Sequence, residues 1–149
     1  VALPIYHPLS GTAPSLDDYL AWPHLQVSGG GDKDSPVEQV LAPLGLSRRW
    51  FARVPFFQAA VEVLLRTDCL MTTPAHIAWQ LSREHALSFC DLPFATRVQQ
   101  YHLLWHQRHH LDPAHRWFRE LAYPFLRDHL QRTLGESRKQ LGLKADPLR

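Results

Sequence analysis

The stretch from Arg48 to His76 constrains the fold more than any other part of the chain. Arg49 to Val54 is short, aromatic and branched, and a proline closes it, which predicts a strand. Phe57, Ala60, Val61, Leu64 and Leu65 then fall at i, i+3, i+4, i+7 and i+8, one face of a helix that runs to Arg66. Cys69 to Thr72 is a second short apolar run. Thr73-Pro74 opens another helix, with Thr73 as the N-cap and Pro74 at the first helical position. Strand, helix, strand, helix is a βαβ unit, and it predicts a parallel pair joined by a right-handed crossover.

The flanking sequence continues the alternation. Val1 to Ile5 reads as a strand, and a chain that begins inside a strand suggests a fragment of a longer protein. Ser15 caps a short helix that ends by Trp22, before Pro23. Leu25 to Ser28 is the next strand, and residues 29–34, three glycines followed by Asp32, Lys33 and Asp34, form a loop. Ser35-Pro36-Val37-Glu38 has the form of a capping box and opens a helix that ends near Gly45, weakened by Pro43. After the central unit, Ala75 to Glu84 is helical and Leu87 to Cys90 is a strand. Val98 to His106 alternates, with Tyr101, Leu103 and Trp105 on one face, and predicts a further strand. Asp112-Pro113 caps the longest helix, which runs to about Leu134 and stops at Gly135. The charged tail, 136–149, is loosely ordered. The fold class is therefore α/β, a mostly parallel or mixed sheet with helices on both faces.

A chain of 149 residues, 45% hydrophobic and 20% charged, builds one domain with a real core. A net charge of +2 is too small to argue for nucleic-acid binding by itself. No apolar run approaches a membrane span, and no secretion signal precedes the first strand. Cys69 and Cys90 sit in apolar contexts and read as buried, reduced thiols of a cytoplasmic protein.

Three chemistries are weighed against bland alternatives. His102, His106, His109, His110 and His115 are dense in sequence, but no cysteine or carboxylate completes a zinc spacing, so they read as a polar turn rather than a metal site. Ser28 stands before glycines at a strand end, yet Gln26 occupies the position where a nucleophile elbow needs glycine. The triple glycine lacks the lysine and hydroxyl of a phosphate loop. Neither a catalytic residue, a metal site nor a cofactor follows. Two strand-to-helix corners remain. One, from Ser28 through Gly29 and Gly30 to Ser35, offers backbone N–H groups to an anion. The other, Val54-Pro55-Phe56-Phe57, offers aromatic surface. In open α/β sheets ligands sit outside the carboxyl ends of strands, so both corners predict one crevice for a small carboxylate, with Phe56 facing it.

Taken in order, His7-Pro8-Leu9, Val54-Pro55-Phe56-Phe57, the run Arg66 to Pro74, and Leu104-Trp105-His106 followed by Asp112 to Arg119 resemble the effector-binding domain of LysR-type transcriptional regulators. The likeness covers about residues 5 to 132 and is nearest to the subgroup answering salicylate-like acids and to the nodulation regulators. It implies a type-2 periplasmic-binding-protein fold of two lobes with an effector between them. It also implies a helix-turn-helix elsewhere in the protein for DNA, a homo-oligomer (dimer or tetramer), and no membrane partner and no enzymatic activity. On this likeness residues 1–135 are an effector-binding domain fragment. Residues 8–108 are its second lobe, 109–135 a C-terminal helix returning to the first lobe, and 136–149 a flexible tail. The residues expected to hold the effector are Ser28, Gly29, Gly30, Phe56, Phe57, Thr73 and Trp105, although relatives that bind aromatic acids carry a histidine at the position of Phe56. A subunit interface is expected on Phe57, Val61, Leu64 and Leu65.

Overall fold

The structure, a computed structural model, describes residues 1–28 and 35–142. Five strands form one mixed sheet: β1 (Ala2–Pro4), β2 (His24–Val27), β3 (Trp50–Val54), β4 (Leu70–Met71) and β5 (Leu87–Phe89). The helices are α1 (Leu16–Ala21), α2 (Pro36–Leu41), α3 (Phe57–Leu64), α4 (Ala75–Glu84) and α5 (Pro113–Gln140). Short 3-10 turns lie at Ala42–Leu44 and Gln107–His109.

The strand order is β3-β2-β4-β1-β5. β2 is parallel to both β3 and β4, whereas β1 runs antiparallel to β4 and to β5. The βαβ unit is present, but β3 and β4 do not pair with each other as expected. β2, whose His24 and Leu25 are fully buried, takes the inner place between them.

The pleat explains the two cores. Ala2, Leu25, Met71 and Phe89 face α3 and α4, joining Ala60, Val61, Leu64 and Ala78. Val1, Leu3, Leu70 and Cys90 face the opposite side with Tyr19 of α1 and Val37 and Leu41 of α2. Successive strand residues point to opposite faces, so each short strand serves both layers. β3 is an edge, and two guanidiniums flank its first residue: Arg48 lies 4.3 Å and Arg53 5.3 Å from the Trp50 ring centroid. Charge at an edge strand opposes pairing with another chain.

Five local expectations need correction. α3 ends at Leu64, not Arg66, and Val61 and Leu64, expected at a subunit interface, are fully buried against the sheet of their own chain. The outward residues of that helix, Gln58 and Glu62, are polar. α4 begins one residue late: Pro74 occupies the cap position, and Thr73 Oγ1 is buried without a hydrogen-bond partner. Ser35 makes no side-chain cap, because its hydroxyl donates to Glu38 instead and Glu38 is turned toward Arg48. A true capping box closes at α1, between Ser15 and Asp18. Residues 98–106 form no strand; Val98 and Leu104 are 88% and 86% exposed, since no sheet edge receives them. Finally, α5 passes Gly135 and continues to Gln140. A mid-helix glycine costs about 1 kcal/mol. Burial of Thr133 and Ser137, and packing of α5 on α4 and of Leu141 on the core, offset it. The first part of the expected flexible tail is thus helical, and residues 143–149 lie outside the described residues.

Candidate functional site

A cleft of about 680 Å³ opens at the carboxyl ends of β2, β4 and β5. Its walls are built by Val27 at the end of β2, Thr72 and Thr73 after β4, Phe57 at the start of α3, and Cys90 and Asp91 after β5. The second half of α5 closes one side with Arg127, Leu130, Leu134 and Arg138, and residues 96–99 with Tyr101 close another. Strands end here because Thr73-Pro74 and Pro55 prevent the ladder from continuing.

The floor is a polar network under apolar walls. The Arg48 side chain is only 3% exposed and pairs with Glu38: Nε donates to Oε1 at 2.8 Å and Nη2 lies 2.6 Å from the same oxygen. Nη2 also donates to Ser35 Oγ at 3.2 Å, and Nη1 donates to Tyr19 Oη at 3.3 Å. Tyr19 Oη lies 2.7 Å from Thr72 Oγ1. For Glu38, burial pushes the carboxyl up, but the Ser35 hydroxyl and the Arg48 guanidinium outweigh it and hold the pKa below its ordinary value. Burial raises the Tyr19 phenol. His76, which lines the cleft edge-on to Tyr101 at 5.6 Å, is pushed down by burial first and then by His129, so it is neutral at pH 7.

The lining carries more basic than acidic side chains, and acids just outside it pair with two of the arginines. Arg48, Arg97, Arg127 and Arg138 line the cleft against one acid, Asp91, among the described lining residues. Glu38 neutralises Arg48, and Asp128 lies 3.0 Å from Arg127. Such a cleft suits a small molecule with an anionic head and an apolar body.

Of the residues singled out in the sequence, Phe57 and Thr73 line this cleft. Ser28 lies just beyond Val27, its N–H bonded to Val54 O at 2.9 Å, and is outside the lining. Gly29 and Gly30 lie outside the described residues. Phe56 is 68% exposed in the extended residue before α3, and Phe57 takes the wall position instead. Trp105 is also outside the lining. With no strand to hold it, its ring stacks on His110, and the Arg119 guanidinium lies 4.6 Å from its centroid. Arg119 also donates to the carbonyls of His109 and His110, at 3.2 and 3.0 Å, so the histidine-rich turn is strapped to α5. Among the described residues no three His, Cys, Asp or Glu side chains gather to hold a metal. Sequence reasoning missed Tyr19, Arg48 and Thr72, whose roles depend on long-range contacts. It also missed the cleft-facing half of α5, for which Leu130 and Leu134 at i, i+4 were a legible signal.

Comparison with known proteins adds a second line. The family model described as LysR substrate binding domain matches residues 1–127. The HTH-type transcriptional activator NahR of Pseudomonas putida is 27% identical over 122 residues, 82% of this chain and 41% of that protein. Nodulation protein D 1 of Bradyrhizobium japonicum is 31% identical over 113 residues, 72% of this chain and 34% of that protein. Among solved structures, the regulatory domain of MexT, a transcriptional activator in Pseudomonas aeruginosa, superposes with a TM-score of 0.61 at 34% identity, covering 74% of this chain and 57% of that one. A Vibrio parahaemolyticus protein assigned as a transcriptional regulator gives a TM-score of 0.71 at 29% identity, covering 91% of this chain and 60% of that one. The chain thus spans between a third and a half of the length of these two curated relatives.

Proposed function

The chain belongs to the LysR substrate binding domain family, and from that premise we propose that it is the effector-sensing part of a bacterial transcriptional regulator. Its fold is periplasmic-binding-protein-like, a mixed sheet with helices on both faces. The observation that carries the proposal is the arginine-rich cleft at the carboxyl ends of the strands, where folds of this kind receive ligands. The effector is a small carboxylate, an aromatic acid included. Phe57 covers its apolar face, and Thr73 and the arginine-lined walls take its charge. Phe56, Ser28, Trp105 and the glycines 29 and 30 belong to this reading only if a ligand reaches beyond the cleft.

Residues 8–108 serve as one lobe, and α5 as the helix that meets the rest of the regulator. The support is an apolar stripe on the first half of α5. Trp117, Phe118, Leu121 and Phe125 are all more than half exposed, and they fall on one side of the helix at i, i+1, i+4 and i+8. DNA contact, oligomer formation and a cytoplasmic site of action come from that larger protein. The relatives are transcriptional regulators by name, and we read this chain as a sensor rather than an enzyme. Among the described residues no helix is long and apolar enough to cross a membrane.

The test is a titration of the full chain with a panel of small carboxylates, followed by calorimetry and by amide shifts at Phe57, Thr73 and His76. Phe57→Ala and Thr73→Val each weaken the best binder, while Phe56→Ala does so less. If Phe57→Ala and Thr73→Val bind as the parent does, the effector site lies elsewhere.

A further inference from the structure

We propose that His76 takes up a proton when a carboxylate enters the cleft, so that the cleft holds its ligand more tightly as the pH falls. This rests on the reading of the cleft as a carboxylate site. Among the described residues His76 is the one imidazole of the lining. It stands in the first turn of α4, edge-on to Tyr101 at 5.6 Å. Its ring forms no hydrogen bond among the described residues. A neutral imidazole has one N–H and one bare nitrogen, and at His76 both are uncommitted. Burial disfavours the imidazolium first, and His129, facing it from α5, does so next, so the pKa lies below the ordinary 6.5. Arg127 and Arg138 from α5 and Arg97 from residues 96–99 line the same cleft and add positive potential. The amino end of α4 adds more. Arg48 is neutralised by Glu38, and Asp91 after β5 is the acid on the other side of the balance. Cys90 and Tyr101, the remaining titratable groups of the lining, are pushed up by burial and stay neutral at pH 7. From α3 the lining takes only Phe57.

An anionic ligand head reverses this balance at His76. An opposite charge within about 4–6 Å of a titratable group favours its charged form by roughly 1–3 pKa units. A carboxylate in the cleft supplies that charge and also gives the imidazolium N–H an acceptor. Carboxylate and proton then bind together, and each strengthens the other by the same factor. The His76 pKa is higher in the complex than in the free chain. The extra affinity is therefore whole below the free value, declines as the pH rises between the two values, and is gone above the value in the complex. A neutral ligand of the same shape supplies no charge and takes up no proton.

The experiment uses benzoate, with benzyl alcohol as the neutral probe, on the full chain. The His76 ring signal is titrated by NMR with and without each probe. Benzoate heats are measured at pH 7 in HEPES and in Tris, whose different ionisation enthalpies report the protons taken up. Benzoate stays ionised throughout, so the ligand itself contributes none. Benzoate is expected to move the His76 midpoint up by about one unit or more, and benzyl alcohol to leave it in place. Benzoate affinity should fall roughly threefold to tenfold from pH 6 to pH 7.5. His76→Gln removes the proton uptake and flattens that profile, whereas His129→Gln keeps the uptake. Urea midpoints confirm folding, and the titration of the parent decides alone if His76→Gln does not fold. If benzoate shifts the Phe57 amide but leaves the His76 midpoint where it was, the proposal is overturned while the cleft reading stands. The same holds if uptake survives in folded His76→Gln. If benzoate leaves Phe57 unmoved, the cleft reading fails and takes this proposal with it.

Discussion

Replacing Leu64 by alanine separates two roles for α3: a surface that meets another subunit, or a rib of this chain's own core. Leu64 is fully buried and packs with Ala60, Val61, Cys69 and Met71. Truncating such a leucine removes transfer energy and leaves a cavity, a loss of about 3 kcal/mol within the usual range for buried Leu→Ala changes. For a domain of this size that corresponds to a drop in Tm of roughly 6–12 °C. With a urea m-value of about 1.5 kcal/mol/M, the midpoint falls by roughly 2 M. The assay is urea unfolding of the parent and of Leu64→Ala, followed by tryptophan fluorescence, at two protein concentrations tenfold apart. The midpoint difference is expected to be the same at both concentrations, because the lost contacts lie within one chain. Glu62→Ala, on the exposed side of the same helix, should change stability by less than about 0.5 kcal/mol. The argument is refuted if Leu64→Ala costs under about 1 kcal/mol, or if its cost grows on dilution as a subunit contact requires.

Other outcomes follow from the floor of the cleft and from the surface. His24 is fully buried with a pKa lowered to about 4, chiefly by burial, against an ordinary 6.5. The unfolded chain binds the proton more readily, so stability falls as pH drops from 6.5 towards 4, by on the order of 3 kcal/mol. Urea midpoints against pH for His24→Gln should show a visibly flatter slope over that window, and an unchanged slope excludes His24 as the source. Arg48→Met strands a half-buried Glu38 and costs roughly 2–3 kcal/mol; Arg48→Lys recovers less than half, because an ammonium cannot span Glu38, Ser35 and Tyr19 at once. The exposed stripe of α5 is expected to make the isolated chain self-associate, and sedimentation of a Leu121→Glu, Phe125→Glu double variant should show monomer where the parent does not. The chain by itself is expected to bind DNA only weakly and without sequence preference, and a sequence-selective band shift at physiological salt would contradict that.

The parts of the fold that were legible in the sequence are those decided locally. Val54-Pro55 ends a strand through proline sterics, and the spacing of Ala60, Val61 and Leu64 declares a helix with one buried face. What distant residues decide was not legible. Strand order depends on which strand wins the centre, and nothing within Trp50 to Met71 announces that β2 will sit between β3 and β4. Ser35 and Glu38 have a capping-box spacing, yet Arg48, ten residues on, captures the carboxylate. Residues 98–106 alternate as a strand should, but alternation makes a strand only where an edge is waiting. For the site, the corner chemistry led to Phe57 and Thr73. The relay through Tyr19 joins residues 19, 48 and 72, and no sequence window spans them.

Helix α5 touches the cleft with one end and offers aromatic surface with the other, and that makes it a lever. Its 28 residues span about 42 Å at 1.5 Å per residue. Thr133, Ser137 and Leu141 anchor the cleft end, so a tilt of about 5° there carries the far end through roughly 3–4 Å over this length. Pro124 stands between the two arms and removes one rung of the hydrogen-bond ladder at the point where a lever would bend. A molecule seated in the cleft would therefore rest against the same helix that carries the exposed Trp117, Phe118, Leu121 and Phe125.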